Sequence, residues 1–344
     1  RITKVNHYWK TGEIDPECNV QFGEGGAGTF SDGKLTTRIK DNRVKKVIEE
    51  FIEAGADESI RYEAHPHLGT DKLRFIVPNL RNKIISLGGE VFFDTEVKDI
   101  IIENNQITAI QLKDKVLPCT HILLCAGHSA SDLFKNLTHK IHIEPKDFAI
   151  GVRVEHPQSL INENQHMHYA DLLPPAVYHL THTATNGRGV YSFCMCPGGE
   201  VVASASSPHT IVTNGMSYSH RNAPLANSAI LVQVKKEDFD HGNPLDGFLY
   251  QEKLEKKTYE LTNNHKAPVS NIKDFLNHTT TPLVNMPSYS LGYQQTDLHG
   301  LFDEPIEEAL KEGFINFDTK IKGFIEHGTM TASETRSSAP VRIT

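Results

Sequence analysis

The chain has 344 residues, 38% of them hydrophobic, and 35 Lys and Arg against 43 Asp and Glu give a formal net charge of −8. That suffices for one large core or two ordinary ones, and with no Lys/Arg block, no apolar run of roughly 20 residues and no basic start before an apolar centre, neither nucleic-acid binding, a bilayer span nor a signal peptide is expected. Five scattered cysteines, Cys18, Cys119, Cys125, Cys194 and Cys196, suit a reducing compartment better than a disulfide framework, so a cytoplasmic protein is expected.

The chain opens on Arg1 rather than Met and stops at Val341-Arg342-Ile343-Thr344, so both ends are expected to continue in a longer protein. Gln21 to Lys34 (QFGEGGAGTFSDGK) holds five glycines in fourteen residues, with neither helical stripe nor alternation. Glycine costs roughly 0.5–1 kcal/mol inside a helix or strand, so this is expected to be a loop that turns sharply or admits a close neighbour. Asn42 to Ala54 puts Val44, Val47, Ile48, Phe51 and Ile52 on one helical face, with Gly55 as the stop. A second helix is expected from a capping Thr70 to Gly88-Gly89, kinked or broken at Pro78. Ile100 to Glu103 and Ile107 to Leu112 read as antiparallel neighbours, with turns at Asn104-Asn105 and Lys113-Asp114. His121 to Cys125 has the apolar run of a strand buried on both faces. Ala126-Gly127 ends it, and Ser129 is expected to cap a helix to Leu137.

Beyond about residue 150 antiparallel strands dominate. Gly151 to Glu155 alternates, and Gly189 to Ser206 predicts a hairpin of two strands around Pro197 to Glu200. Asn227 to Val234 is a further strand, and Phe248 to Thr262 and Glu304 to Phe317 are helices, the latter with Pro305 in its first turn. The chain is therefore expected to be α/β (α+β), as two domains or as one with a large insertion.

Four constellations bear on chemistry. Gly25, Gly26 and Gly28 would let a nest of backbone N–H groups hold a phosphate or a ring carbonyl, with hydroxyls from Thr29 and Ser31 and a charge from Lys34; a tight surface loop explains them equally. The loop is neither a P-loop, since Leu35 follows Lys34, nor a G-x-G-x-x-G site, since no strand precedes it. The Ala126-Gly127 corner stands where α/β folds place a ligand, although a close-packed turn also needs small residues. Spaced pairs among the 19 histidines, and Cys194 with Cys196, lack the partners of a four-ligand set, so no metal is expected. The two cysteines are poorly placed for an unstrained mutual disulfide and are expected to pack, or to bring one thiol to a reaction centre. The polar tail holds Arg336 and Arg342, which would offer bidentate contacts if it returns to a ligand.

The words WKTGEIDPECNVQFGEGGAGTFSDGKL, FCMCPGGEVV, NGMSYSHR and ETRSSAPVRI, in that order, resemble a bacterial family of FAD-dependent (NAD-utilising) dehydrogenases of unassigned substrate, related to flavoproteins of the glutathione-reductase type. The resemblance runs nearly end to end. It implies a partial FAD-binding domain with a β-meander at 1–150, an inserted, mainly antiparallel substrate domain at 151–330, and a return segment at 331–344. It implies cofactor contacts at Gly25, Gly26, Gly28, Thr29, Ser31, Lys34, Val97, Ala126, Gly127, Arg336 and Arg342. Lys34, Arg336 and Arg342 would then stabilise the reduced flavin anion. FAD is the implied cofactor, NAD(P) a co-substrate and a small molecule the substrate, with no catalytic acid or base assigned. Complete members open with a dinucleotide-binding strand and glycine turn that do not occur here, so this chain is expected to be a fragment, inactive alone. The alternative is a non-catalytic ligand- or protein-binding module.

Overall fold

A computed structural model describes residues 1–37 and 39–344. It is mixed α/β, with eight α-helices and fourteen strands among the described residues. The largest sheet has seven strands, in the order Tyr293–Gln295, Ala267–Asn271, Thr329–Glu334, Phe148–Pro157, Leu225–Val234, Gly189–Cys196 and Thr181–Thr183. All its pairings are antiparallel except the outermost, Ala267–Asn271 with Tyr293–Gln295. Val97–Glu103, Gln106–Leu112 and Val116–Pro118 form a separate meander. Asn104 and Asn105 turn its first hairpin at φ 50 and 60, the left-handed pair that a two-residue turn requires.

Alternation explains the central strand. Ile150, Val152 and Val154 join Ile230, Val232, Phe314, Phe317 and Phe324 in the main core, the last helix of which, Glu304–Lys320, packs on the neighbouring strands. The intervening Arg153 and Glu155 point the other way. That face is roofed by the two-stranded ribbon Glu200–Ala203 and Thr213–Met216, so both charges lie at 0% exposure. A methyl on Gly215 of the ribbon would sit 2.4 Å from the Arg153 guanidinium, which is why the roof has no side chain there.

Four local expectations change. Gly189–Cys196 and Glu200–Ala203 are not a hairpin: the first stays in the large sheet and the second pairs with Thr213–Met216. The chain leaves the sheet at Gly198, φ 47, where any Cβ would collide with the Arg221 carbonyl. The run 121–125 forms no strand; Leu123 is 93% exposed and Cys125 is exposed. An apolar run becomes a buried strand only where neighbours supply ladders on both sides, and none flanks it among the described residues. Ser129 and Thr70 cap nothing: the helices start at Ser131 after Ala130 and at Thr70 after Gly69, with no side-chain cap bond. Thr70 instead donates to the Thr29 carbonyl at 2.6 Å. The helix Thr70–Ser86 continues through Pro78 without a break.

Glu155 gives the fold a pH dependence. Its carboxyl accepts from the Ser288 hydroxyl at 2.5 Å and from the Ser288 N–H at 3.2 Å. Burial pushes it up from 4.5 to about 7 against the pull of Ser288 and Arg153, and Glu200 adds to the rise. Between about 4.5 and 7 the native state holds more protons here than the unfolded state, so this contribution is full below 4.5 and is lost as pH rises through 7. Glu155→Gln is expected to remove up to about 3 kcal/mol of the difference between pH 5 and pH 8 in urea unfolding free energy, raising stability at pH 8.

Candidate functional site

The glycine loop is pinned from below. Arg1 donates to the carbonyls of Asn19 at 3.0 Å, Val20 at 2.8 Å and Glu24 at 2.5 Å. Phe30, fully buried, meets Trp9 edge-on at 5.8 Å. Ala27–Phe30 winds into one 3₁₀ turn, whose first N–H groups have no partner within the turn. The upper side is bare: a Cβ added at Gly26 or Gly28 would meet nothing within 4 Å. Gly25 is different, since its φ of +83 and a Cβ position 2.2 Å from Thr29 Oγ1 make it a requirement of the turn itself.

Opposite the loop lies the strand Thr329–Glu334 and the segment after it. Together they enclose a cleft of about 180 Å³, lined by Ala27, Gly28 and Ser31 on the loop side and by Cys194, Asn214, Glu334, Arg336 and Ser337 across from it. Both charges in its far wall are held from behind. Glu334 receives Arg153 at 2.9 and 3.2 Å, and Arg336 grips Glu255 at 2.7 and 2.8 Å. Thr335 also donates to Glu255, at 2.6 Å. Paired this way, neither charge requires water, and the cleft presents a polar wall of low net charge.

The expected site residues separate into two groups. Gly28, Ser31 and Arg336 line the cleft. Gly26 and Thr29 belong to the same turn; Thr29 Oγ1 is buried without a hydrogen-bond partner. The Ala126-Gly127 corner lies close by: Ser129 accepts from Arg336 at 3.4 Å, and His128 pairs with Gln251 at 2.9 Å, whose amide holds the Thr335 carbonyl. Burial first, then Arg336, pushes His128 down to about 4, so its ring is neutral.

Lys34, Val97 and Arg342 lie elsewhere. The Lys34 ammonium sits 2.9 Å from Asp32 and donates to the Met195 carbonyl, so its charge is committed below the loop. Asp32, fully buried, also takes Arg221 at 2.6 and 3.1 Å and Ser217. Burial opposes its charge, but Lys34 and Arg221 outweigh that and hold the carboxyl at about 2. Arg342 is exposed on the strand Val341–Ile343, beside Glu144. Val97 starts the meander opposite Leu112, outside the cleft lining.

The Asp32–Arg221 clamp and the Arg153–Glu334 pair were not legible beforehand. Each joins residues more than 180 positions apart, and the only local signal was the presence of Arg221 in NGMSYSHR and of Glu334 in ETRSSAPVRI. A second hollow, of about 140 Å³, adjoins Asp274, whose carboxylate is already taken by Asn271, Thr279 and Thr281. No group of three His, Cys, Asp or Glu is placed to hold a metal among the described residues, and no helix among them is long and apolar enough to cross a membrane.

The fold is thus α+β, with a glycine loop facing a charged but internally neutralised strand end of the large mixed sheet. Residues 147–337 match the family described as FAD-dependent protein, C-terminal domain-like, and the chain belongs to that family. It is also 46% identical over 351 residues to a protein of Clostridium beijerinckii described as uncharacterized, an alignment covering 100% of this chain and 66% of that protein. The chain thus spans about two thirds of the length of the relative it matches.

Proposed function

We propose that the cleft receives part of an FAD, and that the chain is the substrate-side portion of an FAD-dependent oxidoreductase. The observation that carries this reading is the bare backbone at Gly28 facing Arg336 across the cleft. The fit is partial. At about 180 Å³ the cleft is smaller than the ~300–1,000 Å³ of pockets that enclose whole drug-sized ligands, so it suits one edge of a ring system or a diphosphate rather than a whole dinucleotide.

In this reading the N–H groups of the 3₁₀ turn hold the ligand's polar edge, and Gly28 lets it approach, while the Ser31 hydroxyl, donating to the Gly28 carbonyl at 3.0 Å, braces the loop. Arg336, held in place by Glu255, would set a guanidinium edge beside the ligand's polar groups. Bound there, the flavin would supply two-electron chemistry. Val97, Ala126, Gly127, Lys34 and Arg342 would serve more distant parts of the cofactor or its support. The division into a glutathione-reductase-type FAD domain at 1–150, a substrate domain at 151–330 and a return segment belongs to the same proposal.

The absorbance spectrum of the complete gene product tests it. The two visible flavin bands are expected, bleaching with a reductant such as NAD(P)H or a reduced substrate. A colourless product that does not quench added FAD fluorescence overturns the reading in favour of a non-catalytic binding module.

A further inference from the structure

The far wall of the cleft holds chemistry that the flavin reading does not use. Cys194 lines the cleft, whereas Cys196, two residues on, is buried at 0% exposure. The strand carrying them is irregular: Asn227 pairs with Cys196 and Ala229 with Phe193, so three steps on one strand match two on the other. The extra residue is absorbed at Cys194, whose φ of 45 is left-handed. In a regular strand, Cα atoms two apart lie roughly 6.6–6.8 Å from one another, at the outer edge of the 4.4–6.8 Å range that disulfides span. The Cys196 thiol already turns back toward Cys194, with its sulfur 3.2 Å from the Cys194 carbonyl.

Cations surround the pair. Lys34 donates to the carbonyl of Met195, between the two cysteines, and Arg153 donates to that of Cys194 at 3.0 Å. The Cys196 side chain pulls the Cys194 thiol down to about 6 against burial, with Lys34 and Arg153 assisting, while the Cys194 side chain and burial push Cys196 up. Thiolate character therefore collects on the sulfur that the cleft exposes.

We propose that Cys194 and Cys196 form a reactive dithiol, in which Cys194 attacks a low-molecular-weight disulfide entering the cleft and Cys196 resolves the adduct. In the first step the Cys194 thiolate forms a bond to one sulfur of the disulfide, whose S–S bond breaks to release one thiolate. In the second, Cys196 gives up its proton to that thiolate and attacks Cys194, forming the Cys194–Cys196 disulfide and releasing the second half of the substrate. The protein dithiol is oxidised by two electrons and the small disulfide is reduced to two thiols. Burial of Cys196 leaves it one partner, Cys194, and so fixes which sulfur attacks and which resolves. The assignment uses only the protein wall of the cleft and stands whether or not a flavin binds.

The test treats the reduced complete gene product with oxidised glutathione, or with iodoacetamide, and maps peptides by mass. Oxidised glutathione is expected to link Cys194 to Cys196 with no lasting adduct, and in Cys196→Ala or Cys196→Ser to leave glutathione on Cys194. With iodoacetamide, the rate at Cys194 is expected to rise less than about twofold from pH 7 to pH 9, against more than about tenfold for the same cysteine in the urea-unfolded chain. Glutathione on exposed Cys125 while Cys194 and Cys196 stay free overturns the proposal, as does an equal rise with pH in folded and unfolded chains. Wild-type mapping decides even if the variants do not fold.

Discussion

Arg153→Met is expected to lower the unfolding free energy by about 3–5 kcal/mol. The guanidinium lies at 0% exposure and is held by both oxygens of Glu334, by Asn227 at 3.1 Å and by the Cys194 carbonyl at 3.0 Å. Burial works against its charge, yet Glu334 more than compensates, so it stays protonated at every pH at which the protein folds. Methionine fills the volume but leaves the Glu334 carboxylate buried, with Thr213 at 3.2 Å as its remaining donor. The uncompensated charge, not the lost attraction, is the main cost. Arg153→Met combined with Glu334→Leu should therefore recover most of the loss, because replacing a buried ion pair by apolar groups is often neutral. Urea unfolding of the two single variants and the double variant gives the coupling energy directly. A single-variant loss under about 1 kcal/mol would show that the pair is not what holds the strand Thr329–Glu334 against its neighbour.

Local pattern carried most of the fold's elements, and it failed where a distant neighbour decides. The helices around Val44 to Ile52 and from Pro305 onward follow from periodicity and end signals alone. Gly151 to Glu155 alternates as a half-exposed strand should, but the sequence has no local sign that a ribbon 50 residues away would roof Arg153 and Glu155. The two strands around Pro197 have the spacing of a hairpin; they separate because Gly198 must clear the Arg221 carbonyl, a contact between positions far apart in the chain. The site divides in the same way. Bare glycines and a returning arginine announce a cleft, whereas Lys34, four residues beyond the 3₁₀ turn, is claimed by the buried Asp32. Charge in a sequence shows what a residue can bind, and only the fold shows what has already bound it.

The same logic separates two glycines of one loop. Gly28→Val is expected to leave the melting temperature of the complete gene product nearly unchanged, yet to weaken FAD retention at least about tenfold, or roughly 1.4 kcal/mol. A side chain there has open space within 4 Å and no left-handed backbone to strain, so the stability change should stay within about 0.5 kcal/mol. The new methyls would occupy the cleft that Ser31 and Arg336 line. Gly25→Val should behave in the opposite way. With φ at +83 and the new Cβ 2.2 Å from Thr29 Oγ1, it distorts the turn itself and destabilises the protein by about 1–3 kcal/mol, whether or not a ligand is present. The paired measurement is thermal unfolding alongside the ratio of flavin to protein absorbance after gel filtration. A stable Gly28→Val protein that keeps its full flavin would show that the ligand does not lie against this backbone, and the cleft would then have to be assigned another occupant.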